Sequence, residues 1–180
     1  MINTDLLHSA KILIVDDEPD NVLLLEKMLR NWGYQNLTTT TDSRDAFELW
    51  KRHCPDLTFL DWMMPHVDGS EITQQIRAEA GDTFSPIVVL TADISPRTKR
   101  QALAAGARDF LNKPFDSMEV LLRMENLLEM RFLYLDLQNK NAQLEALQKD
   151  IVAIEEWAAH NAPKNIDAET VEAATTTLDE

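Results

Sequence analysis

The sequence predicts an α/β fold, in which a five-stranded, doubly wound parallel sheet is followed by an extended C-terminal helix. Between residues 11 and 129, short apolar runs alternate with stretches of helical periodicity. Strands that alternate with helices in this way form parallel sheets covered by helices on both faces. After Asp116 the chain contains neither glycine nor proline until Pro163, which indicates one long helix.

Ile12–Val15 is a run of apolar, mostly β-branched residues, which is typical of a strand that is buried on both faces of a sheet. Strand-like segments recur four more times between the predicted helices. Right-handed crossovers between such strands limit the wiring to a doubly wound sheet. The predicted strands are Ile12–Val15, Leu37–Thr40, Leu57–Leu60, Pro86–Leu90 and Arg108–Leu111.

The helices between these strands are predicted from their end signals. Proline is well tolerated in the first turn of a helix, which is where Pro19 is expected. Gly33 and Gly106 are expected to end their helices, because glycine readily adopts the left-handed conformation that follows a last helical turn. Asp42 or Ser43 is predicted to cap the second helix. The remaining helices are predicted over residues 70–80, from about 96 to 105, and from 116 to about 160.

Composition narrows the possible functions. The formal charge of −14 argues against direct nucleic-acid binding, which needs a concentrated positive surface. Cys54 is the single cysteine, so no internal disulfide is possible and a reducing compartment is favoured. The sequence lacks an apolar stretch of membrane-spanning length and a signal-peptide pattern at residues 1–10. We therefore expect a cytoplasmic protein that has no membrane partner.

Polar residues follow the predicted strands at their carboxyl ends, where doubly wound sheets bind ligands. They are Asp16, Asp17, Asp61, Thr91 and Lys113. Crowded carboxylates repel one another unless protons or a hard divalent cation neutralise them, and Mg²⁺ suits carboxylate oxygens. An opposing lysine and a hydroxyl would complete a site for phosphoryl transfer to a carboxylate, which yields an acyl phosphate.

A simpler interpretation exists for each of these residues taken alone. An aspartate at a strand end is most often a helix cap, and a lone lysine such as Lys113 is usually a solvated surface charge. Capping does not readily explain all five residues together, because every one of them has a chemistry that suits metal or phosphate. The sequence therefore favours a magnesium-dependent phosphoryl-transfer site.

At these residues the sequence resembles the receiver domain of two-component response regulators. The resemblance covers roughly residues 11–129, after an N-terminal extension of residues 1–10, and implies a flavodoxin-like sheet with strand order 2-1-3-4-5. The segments that carry it are Ile14-Val15-Asp16-Asp17-Glu18, Asp61-Trp62-Met63-Met64-Pro65-His66-Val67-Asp68-Gly69, Leu90-Thr91-Ala92 and Lys113-Pro114-Phe115.

The resemblance also implies roles for individual residues. Asp61 is implied as the phosphoacceptor that attacks a phosphohistidine of a sensor histidine kinase or phosphotransfer protein. Asp17 and Asp61 would bind Mg²⁺ directly, Asp16 would act mainly through water, and the backbone carbonyl of Met63 would be a further ligand. Lys113 would pair with Asp61 or with the phosphoryl group.

Two further residues are implied as parts of a conformational switch. Thr91 would turn its hydroxyl toward a phosphoryl oxygen, and Phe110 stands where the family carries a switch aromatic, often tyrosine. The peptide bond between Lys113 and Pro114 is usually cis in this family.

Residues 130–160 are predicted to form a coiled-coil helix that continues the last helix of the receiver domain. Apolar residues recur there at spacings of three and four, with Lys140 as the polar exception. A parallel homodimer through residues 130–158 would cover this seam; the alternative is a helix that folds back onto the receiver domain or onto another domain. The seam is Met130, Leu133, Leu137, Lys140, Leu144, Leu147, Ile151, Ile154 and Ala158.

Residues 161–180 are predicted to be a flexible acidic tail. The sequence as a whole predicts a response regulator, with no enzymatic activity beyond its own phosphorylation and dephosphorylation, that signals through a dimeric coiled coil. Three alternatives remain open. The first is the N-terminal regulatory part of a larger signalling enzyme (a cyclic-dinucleotide synthase or phosphodiesterase, a cyclase, a kinase or a phosphatase). The second is a small phosphatase with an aspartate nucleophile, and the third is a scaffold that is never phosphorylated.

Overall fold

The computed structural model describes residues 4–93 and 95–161. It contains five parallel strands in the order β2-β1-β3-β4-β5, as predicted. Each strand lies within one residue of its predicted bounds. The strands are β1 (Ile12–Val15), β2 (Leu37–Thr40), β3 (Leu57–Asp61), β4 (Ile87–Thr91) and β5 (Asp109–Asn112).

Six α-helices accompany the strands in the described residues, and a 3₁₀ turn at Ser43–Asp45 precedes α3. Gly33 and Gly106 have positive φ angles of 95° and 114° and follow the ends of α2 and α5, as predicted. The helices are α1 (Thr4–His8), α2 (Pro19–Asn31), α3 (Ala46–His53), α4 (Gly69–Ala80), α5 (Pro96–Ala105) and α6 (Ser117–Asn161).

The core consists of two clusters, one on each face of the sheet. Alternate residues of β1 point to opposite faces: Ile12 and Ile14 join the cluster under α1, α2 and α6, while Leu13 and Val15 join the cluster under α3, α4 and α5. The helices therefore cover both faces of the sheet, which is the doubly wound arrangement.

The N-terminal segment, for which the sequence predicted no structure, forms the short helix α1. Leu7 and Ala10 are buried in the first core cluster. The ring of His8 packs edge-on against Tyr34, with the ring centroids 5.3 Å apart. This segment is therefore part of the packed domain rather than a loose extension.

The described residues fall into two units, one that ends at Leu135 and one that begins at Asp136. The helix α6 is capped at its start by Asp116, whose carboxylate accepts a hydrogen bond from the N–H of Glu119 at 2.8 Å. The predicted tail, residues 161–180, lies outside the described residues except for Asn161, which ends α6. None of the described helices has both the length and the apolar character that a bilayer span requires.

Candidate phosphoacceptor site

The sheet brings the predicted site residues together at one edge. Asp61 is the last residue of β3 and pairs in register with Leu90, while Thr91 is the last residue of β4 and pairs with Asn112. Lys113 follows β5 directly, and Asp16 follows β1. Because parallel strands end on the same side, the strand order alone directs these residues to one crevice.

Three carboxylates form a cluster in this crevice. One carboxylate oxygen from each of Asp16, Asp17 and Asp61 lies within 4.8 Å of the others. Asp16 and Asp61 are buried, and Asp17 is half-buried. Hard oxygen ligands at this spacing are the donor set that Mg²⁺ prefers, so the residues present fit the ion.

A single cation bridges two of these acids. The Nζ atom of Lys113 lies 2.8 Å from Oδ2 of Asp16 and 3.1 Å from Oδ1 of Asp61. The other oxygen of Asp16 accepts hydrogen bonds from the N–H of Glu18 and from Nδ2 of Asn21, both at 3.1 Å. Both oxygens of Asp16 are therefore engaged by the protein, and one lysine balances only part of the negative charge of the cluster.

This environment shifts the acidity of the central groups. Burial raises the pKa of Asp61 to about 6; the charge of Lys113 opposes the shift, and the nearby Asp16 carboxylate adds to it. For Lys113, burial alone lowers the pKa, but its contacts with Asp16 and Asp61 outweigh burial and raise it. Lys113 therefore stays cationic at neutral pH, and Asp61 ionises only above weakly acidic pH.

The hydroxyl of Thr91 is held by its own loop. Its Oγ1 atom accepts a hydrogen bond from the N–H of Asp93 at 3.0 Å. The carboxylate of Asp93 in turn accepts a hydrogen bond from the N–H of Ser95 at 2.8 Å and one from the hydroxyl of Thr98 at the start of α5. Any movement of Thr91 toward the carboxylates must therefore release a hydrogen bond in the loop between β4 and α5.

Phe110, Met63 and the peptide bond between Lys113 and Pro114 were also singled out in the sequence. The half-buried ring of Phe110 lies between the Lys99 ammonium, 4.4 Å from the ring centroid, and the Arg123 guanidinium, 5.8 Å away. Met63 is 71% exposed. The peptide bond between Lys113 and Pro114 is cis, as expected.

Gly69 lets the loop after β3 fold tightly against the site. A Cβ atom on Gly69 would lie 2.4 Å from the carbonyl oxygen of Asp61 and 2.9 Å from Cα of Trp62. Both are backbone atoms that cannot move aside. Only glycine permits this approach, which places the start of α4 directly behind the phosphoacceptor candidate.

Sequence reasoning missed two residues that support the site. Asn21 belongs to no recognisable sequence motif. Its side-chain amide donates a hydrogen bond to Asp16 because Asn21 lies in the first turn of α2. Asp42 or Ser43 was predicted to cap the second helix, but α3 has Asp45 at its N-cap position and no side-chain cap. Asp42 instead caps the 3₁₀ turn by accepting a hydrogen bond from the N–H of Arg44 at 3.0 Å. The Ser43 side chain instead contacts the loop after β3.

Comparison with known proteins agrees with this geometry. The response regulator receiver domain family matches residues 12–125. The chain belongs to this family. The receiver domain matches PleD, a response regulator of Caulobacter vibrioides, at 34% identity over 134 residues, which is 74% of this chain and 29% of PleD.

Two further relatives extend the comparison. The receiver domain is 38% identical over 120 residues to the alkaline phosphatase synthesis transcriptional regulatory protein PhoP of Bacillus subtilis, a match that covers 67% of this chain and 49% of PhoP. It is 31% identical over 145 residues to the response regulator Rre1 of Synechocystis, covering 81% of this chain and 63% of Rre1. The matches thus span less than two thirds of each relative.

Solved receiver structures share the fold. A response regulator from Chloroflexus aurantiacus superimposes with a TM-score of 0.63 at 30% identity, covering 67% of this chain and 98% of that one. The receiver domain of the sensor histidine kinase PA1611 from Pseudomonas aeruginosa, solved with a magnesium ion in its active-site cleft, gives a TM-score of 0.62 at 32% identity and covers the same shares of the two chains.

Proposed function

We propose that this receiver domain accepts a phosphoryl group on Asp61 from a sensor histidine kinase or phosphotransfer protein, in a Mg²⁺-dependent reaction. In this proposal a parallel homodimeric coiled coil, formed by residues 130–158, passes the change to a partner or an output domain. A cytoplasmic location and the absence of direct nucleic-acid contact belong to the same proposal.

The observation that carries the phosphoryl-transfer proposal is the convergence of three carboxylates and one lysine. If these aspartates served only as helix caps, the ion pairs that Lys113 makes with Asp16 and Asp61 would have no explanation. A buried cluster of three acids with one cation is unfavourable in the metal-free protein, and a divalent cation would neutralise the excess charge. The arrangement is therefore suited to binding an ion and a phosphoryl group in succession.

Each residue has a distinct task in this proposal. Asp17 and Asp61 would hold Mg²⁺ directly, the carbonyl of Met63 would complete the protein ligands, and Asp16 would act through water. When bound, the ion neutralises the charge of the carboxylates and of the incoming phosphoryl oxygens. Lys113 supplies a second, permanent positive charge beside the same oxygens.

The reaction is an exchange of one bond to phosphorus for another. A carboxylate oxygen of Asp61 attacks the phosphorus of a phosphohistidine; the new O–P bond forms as the N–P bond breaks, and the electron pair returns to the imidazole. The product is an acyl phosphate. Lys113 then pairs with a phosphoryl oxygen in place of the Asp61 carboxylate.

The switch would follow from the new negative charge. A phosphoryl oxygen offers the Thr91 hydroxyl a stronger hydrogen-bond acceptor than the Asp93 carbonyl that it faces at 3.4 Å in this structure. If Thr91 turns inward, the N–H of Asp93 loses its partner and the loop before α5 is released. Phosphorylation thereby biases a two-state equilibrium.

The apolar seam of α6 supports the dimer. Its large apolar side chains in the Asp136–Asn161 unit are all more than half exposed, and apolar stripes of this extent mark interaction surfaces. Lys140 pairs with Asp136 on the same helix at 2.6 Å. The exposed seam residues of this unit are Leu137, Leu144, Leu147, Ile151 and Ile154.

Acetyl phosphate with Mg²⁺ tests the phosphoacceptor assignment, read as a mass increase of one phosphoryl group. Asp61→Asn should abolish the label, whereas the exposed Asp82→Asn serves as a matched control and should be labelled like the wild type. Equal labelling of Asp61→Asn and wild type would refute the assignment. Steady turnover of small phosphate esters would instead favour a phosphatase. A response regulator should show only a single, slow hydrolysis of its own acyl phosphate.

A further inference from the structure

The loop between β3 and α4 carries the Met63 carbonyl and is only partly held by its own side chains. Met64 is buried in the second core cluster, and Trp62 and Val67 pack against that cluster, whereas Met63, Pro65 and His66 are exposed. Its internal hydrogen bonds are few: the N–H of Val67 donates to the carbonyl of Pro65 at 3.0 Å, and the N–H of Gly69 donates to the carbonyl of Trp62 at 3.1 Å. The exposed stretch around Pro65 and His66 therefore depends on contacts with other segments to fix its backbone.

Ser43 provides such contacts with a single hydroxyl. Its Oγ atom donates to the carbonyl of Pro65 at 2.6 Å and accepts from the N–H of Val67 at 3.2 Å. These two groups flank His66, whose φ of 73° lies in the left-handed region that non-glycine residues rarely adopt. The hydroxyl thus holds the loop at the one residue whose backbone conformation is unfavourable.

Ser43 itself is firmly placed. It is 3% exposed and begins the 3₁₀ turn, where the carboxylate of Asp42 accepts a hydrogen bond from the N–H of Arg44. The N–H of Asp42 in turn donates to the hydroxyl of Thr40 at the end of β2, at 3.1 Å. The two bonds from Ser43 therefore link the turn after β2 to the loop after β3, the strands that flank β1 and its acidic residues.

We propose that Ser43 is a positioning residue for the magnesium site, because it holds the loop that presents the Met63 carbonyl. This inference rests on the proposed function. Mg²⁺ tolerates little deviation from octahedral geometry, so a loosely held ligand binds it weakly. Residues that orient metal ligands without touching the ion typically change metal affinity 10- to 100-fold when they are removed.

The test is a Mg²⁺ titration of the full chain, followed by the backbone amide signals in NMR. Ser43→Ala should raise the dissociation constant for Mg²⁺ about tenfold. Ser85→Ala is the matched control: Ser85 is also 3% exposed and bonded, to Nε1 of Trp50 at 3.3 Å, but it precedes β4 at the other end of the sheet. Its Mg²⁺ affinity should stay within about twofold of the wild type.

A second readout needs no metal. In the metal-free protein, the amide hydrogen of Val67 should exchange faster in Ser43→Ala than in the wild type, and equally fast in Ser85→Ala and wild type. Ser43→Cys, which keeps a side chain of similar size but replaces the hydroxyl with a weakly hydrogen-bonding thiol, replaces Ser43→Ala if the latter does not fold. Equal Mg²⁺ affinities of the two serine variants would overturn the positioning role, whatever happens to Val67. A wild type that binds no Mg²⁺ would overturn the proposed function and the inference with it.

Discussion

The Nε atom of Arg131 lies 3.5 Å from Oδ1 of Asp56, which joins α6 to the residue just before β3. Nη1 of the same guanidinium donates to the carbonyl of Phe84 at 2.5 Å. Both side chains of the ion pair are largely buried. Nearby, the hydroxyl of Tyr134 donates to the carbonyl of Asp82 at 3.1 Å. These contacts hold α6 to the sheet beyond residue 125, where the match to the family ends.

Removal of Arg131 should therefore destabilise the domain. Arg131→Ala leaves the half-buried Asp56 carboxylate without its cation, and we expect a loss of about 2–3 kcal/mol in the free energy of unfolding. Arg123→Ala is the control, because its pair with Asp109 is more exposed and should contribute less than about 1 kcal/mol. Urea denaturation measures both variants, and equal losses would contradict the prediction.

The raised pKa of Asp61 predicts that this residue destabilises the metal-free protein at neutral pH. A folded-state pKa of about 6, against an ordinary value of 3.8, means that the folded state favours the protonated form. The stability gained from that proton is complete below about pH 4 and is lost as the pH rises through 6. At about 1.4 kcal/mol per pKa unit, the full loss is about 3 kcal/mol.

Asp61→Asn mimics the protonated form and should remove this pH dependence. With EDTA present, it should be more stable than the wild type by about 2–3 kcal/mol at pH 8, and the difference should vanish near pH 4. Thermal unfolding at several pH values measures the difference. Asp82→Asn controls for the loss of one negative charge and should show no comparable trend.

Mg²⁺ should stabilise the wild type by binding the folded state. At a Mg²⁺ concentration of 100 times the dissociation constant, linkage predicts a gain of about 2.7 kcal/mol. Protons compete with the ion for Asp61, so the gain should be larger at pH 8 than at pH 5. Asp17→Asn and Asp61→Asn should each lose most of it in thermal unfolding with and without Mg²⁺. A gain that survives in both variants would place the ion elsewhere.

Two neighbouring residues of α6 test the dimer. Ile151 lies in the seam and Val152 lies beside it, and they are 55% and 52% exposed. Ile151→Asn should weaken the dimer, because it places an amide in the core of the coiled coil. Val152→Asn should leave it nearly unchanged. Light scattering over a dilution series distinguishes them, and a monomeric wild type at all concentrations would refute the coiled coil.

Much of the fold was predictable because strands buried on both faces must be continuous apolar runs. Ile12–Val15 and Leu57–Leu60 were predicted as strands on this ground, and β3 extends the second of them by one residue, to Asp61. Asp61 and Lys113 could be assigned to one site for the same reason, since parallel strands end together. The structure of α1 could not be predicted, because Leu7 and Ala10 have no periodicity long enough to reveal a helix.

By itself the sequence determined the five strands and the helices after α1, the acids and lysine at the strand ends, and the apolar seam of α6, because each depends on local spacing alone. Only the tertiary structure decided that Ser43 holds the loop after β3, that Asn21 reaches Asp16, and that Arg131 meets Asp56. Those contacts depend on which chain segments the fold brings together and on the direction of each side chain. Sequence spacing does not encode either of these properties.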